Sequence, residues 1–225
     1  MAVVELKKVS KIYTLGNNKI YALNEVSLSI QKGDFITIMG PSGSGKTTLL
    51  NMIGCLDLPT AGNVLIDGID ISREDDNGLT RIRRDKIGFI FQQFNLIPTL
   101  TALENVELPM LFKNKKVSKS QQRKNALALF DLVSLEKKYA DHKPNELSGG
   151  QQQRVAIARA LANHPPIILA DEPTGNLDTK TGIGIMDLLQ QLNKDGATVI
   201  VVTHDPSLAK YSSETIRIMD GKIGV

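Results

Sequence analysis

Between residues 40 and 47 the chain reads Gly40-Pro41-Ser42-Gly43-Ser44-Gly45-Lys46-Thr47, and this octet constrains the fold more than any other stretch. Its fixed positions satisfy the pattern G-x-x-x-x-G-K-[ST]. The preceding Phe35-Ile36-Thr37-Ile38-Met39 is apolar and β-branched, while the following Thr48-Leu49-Leu50-Asn51-Met52-Ile53 suits a helix with no breaker before Gly54. Strand, glycine loop and helix in that order let successive backbone N–H groups curl around an oxyanion at the positive end of a helix. Gly40, Gly43 and Gly45 keep the backbone bare, and Ser42, Ser44 and Thr48 complete the cradle. Lys46 reaches the outer phosphates, and the Thr47 hydroxyl can ligate Mg2+. The octet therefore predicts a nucleotide site.

At 225 residues, of which 41% are hydrophobic, the chain can bury one large core, and a single domain with an insert is expected. A net charge of +3 is too small for a dedicated nucleic-acid surface, so no nucleic-acid partner is expected. Cys55 is the only cysteine, which excludes an internal disulfide and a multi-cysteine metal cluster and points to a reduced, cytosolic setting. Beside Ile53 and Leu56 it reads as core. Met1 to Lys8 has no apolar segment of signal-peptide length, and no run approaches the roughly 20 apolar residues that cross a bilayer. No direct membrane insertion is expected, and any membrane role must come through a partner.

The chain opens with alternation over Val3 to Val9 and Val26 to Ile30, joined by a turn at Leu15-Gly16-Asn17-Asn18-Lys19, which predicts an antiparallel β layer. Tyr13 lies within it, and an aromatic there is first read as hairpin packing. After the glycine loop and its helix, Leu58 to Gly62 breaks the chain, Asn63 to Ile66 reads as strand and Asp67-Gly68 as turn. Leu79 to Lys86 carries Arg81, Arg83, Arg84 and Lys86 close to Asp75, Asp76 and Asp85, the pattern of a solvated helix face. Ile87 to Phe91 is a buried-type strand. From Thr101 to Asn163 the apolar positions recur at helical spacing, as in Ala126, Leu127, Leu129, Phe130 and Val133, with Lys113 to Lys124 as a polar loop and helix start. Alternation resumes with strand Ile167 to Ala170, helix Gly182 to Leu192, strand Thr198 to Val202, a short helix from Pro206 and strand Thr215 to Met219. The expected division is a core of residues 1–92 and 165–225 with a helical insert over 93–164.

Inside the insert, Leu147-Ser148-Gly149-Gly150-Gln151 leads into the strongly helical Gln152 to Ala162. Ser148 suits an N-cap, and two glycines behind it leave the helix start bare. Read from the residues, this is either a second anion-binding helix end or a plain capped helix.

Leu147 to Gln151 resembles the signature sequence of ATP-binding cassette (ABC) ATPases and stands at that family's usual distance after the phosphate loop. The resemblance spans essentially the whole chain. It implies an α/β P-loop NTPase with an N-terminal antiparallel β layer, a mostly parallel core sheet flanked by helices and an inserted helical subdomain. It implies ATP and Mg2+ as ligands. It places Tyr13 where the family stacks an aromatic on adenine, and Gln92, between the strand core and the helical subdomain, on Mg2+ and the attacking water. Gln93 repeats the residue type, but the strand ending at Phe91 favours Gln92. In Ile167-Ile168-Leu169-Ala170-Asp171-Glu172 the resemblance gives Asp171 to hydrated Mg2+ and Glu172 to the water attacking the γ-phosphate. His204, after Val199 to Thr203, is similar to the family's γ-phosphate histidine. Gly175-Asn176-Leu177-Asp178 resembles the loop that crosses the dimer seam through Asp178, although many members carry a smaller residue than Asn176. His142 and His164 match no motif and read as surface residues.

The same resemblance implies an ATP-dependent homodimer, each phosphate loop facing the Ser148, Gly149, Gly150 and Gln151 of the other copy. Phe91 to Pro98, Glu104 to Pro109 and His142 to Glu146 resemble the exporter branch that includes macrolide and peptide efflux and lipoprotein release. The implied partner is an integral membrane permease, with this chain peripheral on the cytoplasmic face of the membrane. Two alternatives stand beside it: a cassette ATPase acting with a scaffold in cell division or assembly, and a metabolic P-loop kinase, which would have no use for Leu147 to Gln151.

Overall fold

In the computed structural model, which describes residues 1–16, 18–113 and 117–224, the chain opens as a long antiparallel hairpin of β1 (Ala2–Leu15) and β2 (Asn18–Gln31). The strands run well beyond the two short segments expected from alternation, because the arms stay paired through Lys11↔Leu23, Tyr13↔Ile20 and Leu15↔Asn18. Part of the turn expected at Leu15 to Lys19, namely Asn17, lies outside the described residues, as do residues 114–116 of the expected polar loop. β3 (Phe35–Met39), the glycine loop and α1 (Lys46–Ile53) follow as predicted. β4 (Ala61–Ile66) pairs with the free side of β1, and β5 (Ile69–Asp70), too short to register as alternation, pairs with β4. The first sheet thus has the order β2-β1-β4-β5 and is antiparallel throughout.

After α2 (Asp76–Lys86) the chain enters the second sheet through β6 (Ile87–Ile90), leaves it for a helical region, and returns through β7 (Ile167–Asp171). The helical region comprises α3 (Ala102–Lys113), α4 (Lys119–Leu132) and α5 (Gly149–Leu161), packed around Val106, Phe130 and Val155. α6 (Thr179–Lys194) then leads to β8 (Thr198–Thr203), a tightly wound helix at Pro206–Tyr211, β9 (Glu214–Met219) and the unforeseen β10 (Lys222–Gly224). The second sheet runs β10-β9-β3-β8-β7-β6, parallel except for β10 against β9.

Period-two geometry divides the parallel strands between two cores. Ile36, Ile38, Leu169, Ile200 and Val202 pack toward α1 and the antiparallel sheet, while Phe35, Ile168, Ala170, Val199 and Val201 pack toward α3 to α6. Both faces are covered, which is why these strands read as continuous apolar runs instead of alternating ones. Cys55 is in the first of these cores, and burial pushes its thiol up to about 11. Among the described residues no helix is long and apolar enough to cross a membrane.

The arrangement matters for function at one edge. β3, β8, β7 and β6 lie side by side and parallel, so their carboxyl ends open on the same side of the sheet. That edge is where ligands of such sheets bind.

Candidate functional site

The glycines of the octet have separate physical reasons. A Cβ on Gly40 would stand 2.1 Å from the backbone oxygen of Ile218 in β9, so the loop can leave β3 only as glycine. Gly45 has φ 105°, and a Cβ there would stand 2.3 Å from the backbone oxygen of Ala22 in β2. Gly43, with φ 77°, has open space around it. Gly45 is also the N-cap of α1 and offers no side-chain cap, so the first-turn N–H groups face the loop without a side-chain partner. Lys46 is buried and its ammonium donates to the backbone oxygens of Gly40 (2.8 Å) and Pro41 (2.9 Å), neutral partners that an anion can replace.

Ser42, Gly43, Gly45, Lys46, Thr47 and Thr48 line one side of a cavity of about 610 Å³. Gln92, Asp171, Glu172 and His204 line it from β6, β7 and β8, while Gln93 is not among its lining residues. The lateral order of the strands therefore assembles side chains drawn from residues 42 to 204.

Asp171 ends β7 beside Thr47 and Lys46. Burial, and then the charge of Glu172, raise its carboxyl above the ordinary 3.8, and the Lys46 charge and the Thr47 hydroxyl only partly offset this. Glu172 takes φ 47°, a left-handed conformation that costs a non-glycine residue about 1–3 kcal/mol and therefore needs local support. The support comes from β8 and the residue after it: the Glu172 N–H donates to the Val202 oxygen (2.9 Å), its Oε2 accepts from the Thr203 hydroxyl (3.1 Å), and its Oε1 lies 2.7 Å from His204 Nδ1. The carboxylate is thus oriented by the neighbouring strand end. Thr47, Asp171 and Gln92 bring a hydroxyl, a carboxylate and an amide oxygen to one cavity, a set of hard oxygen donors that fits Mg2+ shared with phosphates.

Three expectations change in detail. Tyr13 is not among the residues lining the cavity; its hydroxyl donates to Asp57 Oδ2 (2.8 Å) with Thr48 in hydrogen-bonding reach, and the wall beside the loop is instead formed by Ile20, Tyr21 and Ala22 of β2. The reason is the hairpin register, which pairs Ile12 with Tyr21 and Tyr13 with Ile20 and so brings β2 to the loop. Nothing in the local sequence of Tyr21 marks it. Ser44 turns its hydroxyl into the protein without a partner and gives its N–H to the Pro41 oxygen (3.2 Å), so it shapes the loop from within. Gly40 likewise serves the crossing under β9. His142 is half-buried, edge-on to Tyr139, and His164 is exposed.

Ser148, Gly149, Gly150, Gln151 and Asp178 are all absent from the cavity lining. Ser148 caps α5 in a reciprocal box: its N–H donates to Gln151 Oε1 (2.8 Å) and its hydroxyl accepts from the Gln151 N–H (3.4 Å). Asp178 caps α6 through the Thr181 N–H (3.0 Å), and bonds from the Thr181 hydroxyl and N–H hold its carboxyl below the usual range. Neighbouring Asn176 donates from its side-chain amide to the Gln92 oxygen (2.8 Å), a link that the sequence did not announce.

Known proteins of the same build are abundant. Residues 23–175 match the ABC transporter family. The ABC transporter ATP-binding protein MJ0796 of Methanocaldococcus jannaschii is 61% identical over 222 residues, 98% of this chain and 94% of that protein. The macrolide export ATP-binding/permease protein MacB of Aggregatibacter actinomycetemcomitans is 47% identical over 99% of this chain, which spans only 34% of MacB. A dimeric structure of a post-hydrolysis state of MJ0796, bound to ADP and Pi, superposes with a TM-score of 0.93 at 60% identity, covering 99% of this chain and 97% of that one. On the strength of that family match and of the identity across nearly the full chain, this protein belongs to the ABC transporter family as an ATP-binding, ATP-hydrolysing subunit.

Proposed function

We propose that two copies of this chain close on ATP and that hydrolysis at the β-strand edge opens them, moving a separate integral membrane permease. The observation that carries the hydrolytic part is the grip on Glu172: its carboxylate is held between Thr203 and His204 at a cavity that also holds Lys46 and Asp171. In this reading the loop N–H groups and Lys46 bind the β- and γ-phosphates. Thr47, Asp171 and Gln92 would hold Mg2+, which would supply positive charge to offset that of the phosphates. Glu172 orients a water and takes its proton as the water oxygen bonds the γ-phosphorus and the bond to the ADP oxygen breaks. His204, engaged with Glu172 through Nδ1, keeps Nε2 for the γ-phosphate. Tyr13 supports the adenine from beside Thr48.

The dimer reading rests on incompleteness: the glycine-flanked start of α5 and Asp178 belong to no part of the cavity in their own chain. A second copy related by a two-fold axis would bring its Ser148, Gly149, Gly150 and Gln151 to the γ-phosphate. The dimeric form of MJ0796 supports this. For the permease, an apolar groove of about 360 Å³ opens between the sheet and the helical region, lined by Phe91, Leu108, Pro109 and Phe112 with Arg84 and Arg159 at its edges. Phe112 is 67% exposed, and the groove lies one residue from Gln92. We assign it to a short amphipathic cytoplasmic segment of the permease, which would hold this chain on the cytoplasmic face. MacB, whose name joins ATP-binding and permease functions, supports an exporter.

Glu172→Gln tests the reading directly. ATP turnover should fall by at least about a hundredfold while ATP binding persists, and a dimer should elute in ATP on size-exclusion chromatography. A variant that remains monomeric with ATP bound, or that turns over normally, overturns it.

A further inference from the structure

The residues after β6 hang from side chains of α5 and of the loop between β7 and α6. The Gln92 oxygen accepts from Asn176 Nδ2 (2.8 Å), the Phe94 oxygen from Arg159 Nη2 (2.7 Å), and the Asn95 oxygen from Arg159 Nη1. Phe94 and Asn95 have φ 58° and 49°, consecutive left-handed residues of which Phe94 is of a type that rarely adopts this conformation. The segment has few bonds of its own, a Phe94 N–H to Phe91 oxygen contact at 3.2 Å and a tight Asn95 N–H to Gln93 oxygen contact.

Its two ends are fixed independently. β6 is paired with β7 as far as Ile90↔Ala170. Beyond the turn, the fully buried Asn105 accepts the Ile97 N–H (2.8 Å) and gives its amide to the oxygens of Ile97 (3.2 Å) and Thr101 (2.9 Å). Phe91 stacks on Phe89 and Leu96 packs against the core below α3 to α6, so Gln92 to Asn95 is the part left to be positioned by outside hydrogen bonds.

The two outside holds come from different directions. Arg159 sits near the end of α5, the helix that begins at Gly149, and it also lines the apolar groove. Asn176 sits between Glu172 and α6. Burial disfavours the Arg159 charge, and among the described residues no carboxylate lies within ion-pair distance of it. A half-buried guanidinium committed to two neutral carbonyls holds geometry, which its planar fork does and a single ammonium cannot.

We propose that Asn176, through the Gln92 backbone oxygen, and Arg159, through the backbone oxygens of Phe94 and Asn95, are positioning residues that hold the turn carrying Gln92, so that the glutamine is in place only while both holds are made. This deepens the function proposed above and rests on Gln92 acting there on Mg2+ and water.

The test uses the nucleotide-free protein first. In Arg159→Lys and in Asn176→Ala, amide hydrogen exchange at Phe94 and Asn95 followed by NMR should quicken at least about tenfold, while the Ile97 amide, held by Asn105, stays unchanged. In steady-state assays kcat for ATP should fall about tenfold with KM within about twofold, since the phosphate loop is untouched. The double variant should fall little below the weaker single one, because either release already frees Gln92. Unchanged exchange in variants that melt normally overturns the proposal, as do KM effects without a kcat loss or losses that multiply. Gln92→Ala separates the two layers. If it lowers kcat while Arg159→Lys leaves exchange and kcat intact, the grip alone is wrong; if it leaves kcat intact, the proposal falls with the reading beneath it.

Discussion

Two helices in this molecule begin at glycines, and they begin in opposite ways. α1 starts after Gly45, a left-handed residue with no side chain to cap the first turn, whereas α5 starts after Ser148, whose box with Gln151 satisfies both partners inside the helix. The first start is electrostatically unfinished and needs an anion from outside. The second is finished by its own side chains. The glycines differ in the same sense. Gly45 is demanded by its own chain through its φ and the Ala22 oxygen, but a Cβ on Gly149 would meet Leu177 at an ordinary 3.5 Å. A glycine that its own fold does not require is explained by something that approaches it from elsewhere, and the proposed facing copy with its bound ATP is such a thing.

Alanine at these two positions is the strongest way to break that contrast. Gly45→Ala should cost about 3 kcal/mol in denaturant unfolding, through strained φ and a backbone clash, and should abolish ATP binding. Gly149→Ala should stay within about 0.5 kcal/mol of the parent, since alanine is favoured in a helix, yet should weaken the ATP-bound dimer formed in the Glu172→Gln background. Equal losses of stability at the two glycines would remove the distinction.

A smaller effect sharpens it. Ser148→Ala removes one arm of the box and should cost about 1 kcal/mol by thermal or denaturant unfolding without changing ATP affinity of the isolated chain. Loss of nucleotide affinity in a monomer would mean that α5 contributes to the site of its own chain, contrary to the cavity lining.

How far this was legible in the sequence follows from the same physics. The octet could be read because almost every position carries a steric or electrostatic necessity, and the parallel strands because burial on both faces forces continuous apolar runs such as Ile167 to Ala170 and Val199 to Val202. With the strand ends known, the meeting of Lys46, Asp171, Glu172 and His204 follows. The hairpin register could not be read: whether Tyr13 or Tyr21 faces the cavity depends on bulges that shift pairing between Leu6 and Ile12. β10, three residues long, was too short for alternation to show. The holds from Arg159 and Asn176 left no trace because they end on backbone oxygens, which are the same at every position whatever the residue. Leu147 to Gln151 was ambiguous from its residues because a capped helix is complete by itself, and only resemblance lent it a ligand.

The smallest expected effect concerns two carboxylates, Asp178 at the start of α6 and Asp171 beside the start of α1. Asp178 is held below the usual range by Thr181, so its contribution to stability is present above 3.8 and is lost as pH falls through its folded value. Asp171 behaves in the opposite sense. Its folded value lies above 3.8, so the folded state holds the proton more tightly than the unfolded chain, and stability declines as pH rises from 3.8 through that folded value. At pH 7 the nucleotide-free protein bears the whole cost of keeping this carboxylate ionised in a partly buried place beside Glu172. Asp171→Asn should therefore raise the melting temperature by about 1–2 °C at pH 7, with the gain shrinking as the pH approaches 3.8. In saturating Mg2+ and ATP the order should invert, because the parent then gains binding energy that the amide cannot recover. A variant that melts below the parent without nucleotide at pH 7 would show that Asp171 supports the fold, and the contrast between the stabilising carboxylate that caps α6 and the destabilising one beside α1 would be lost.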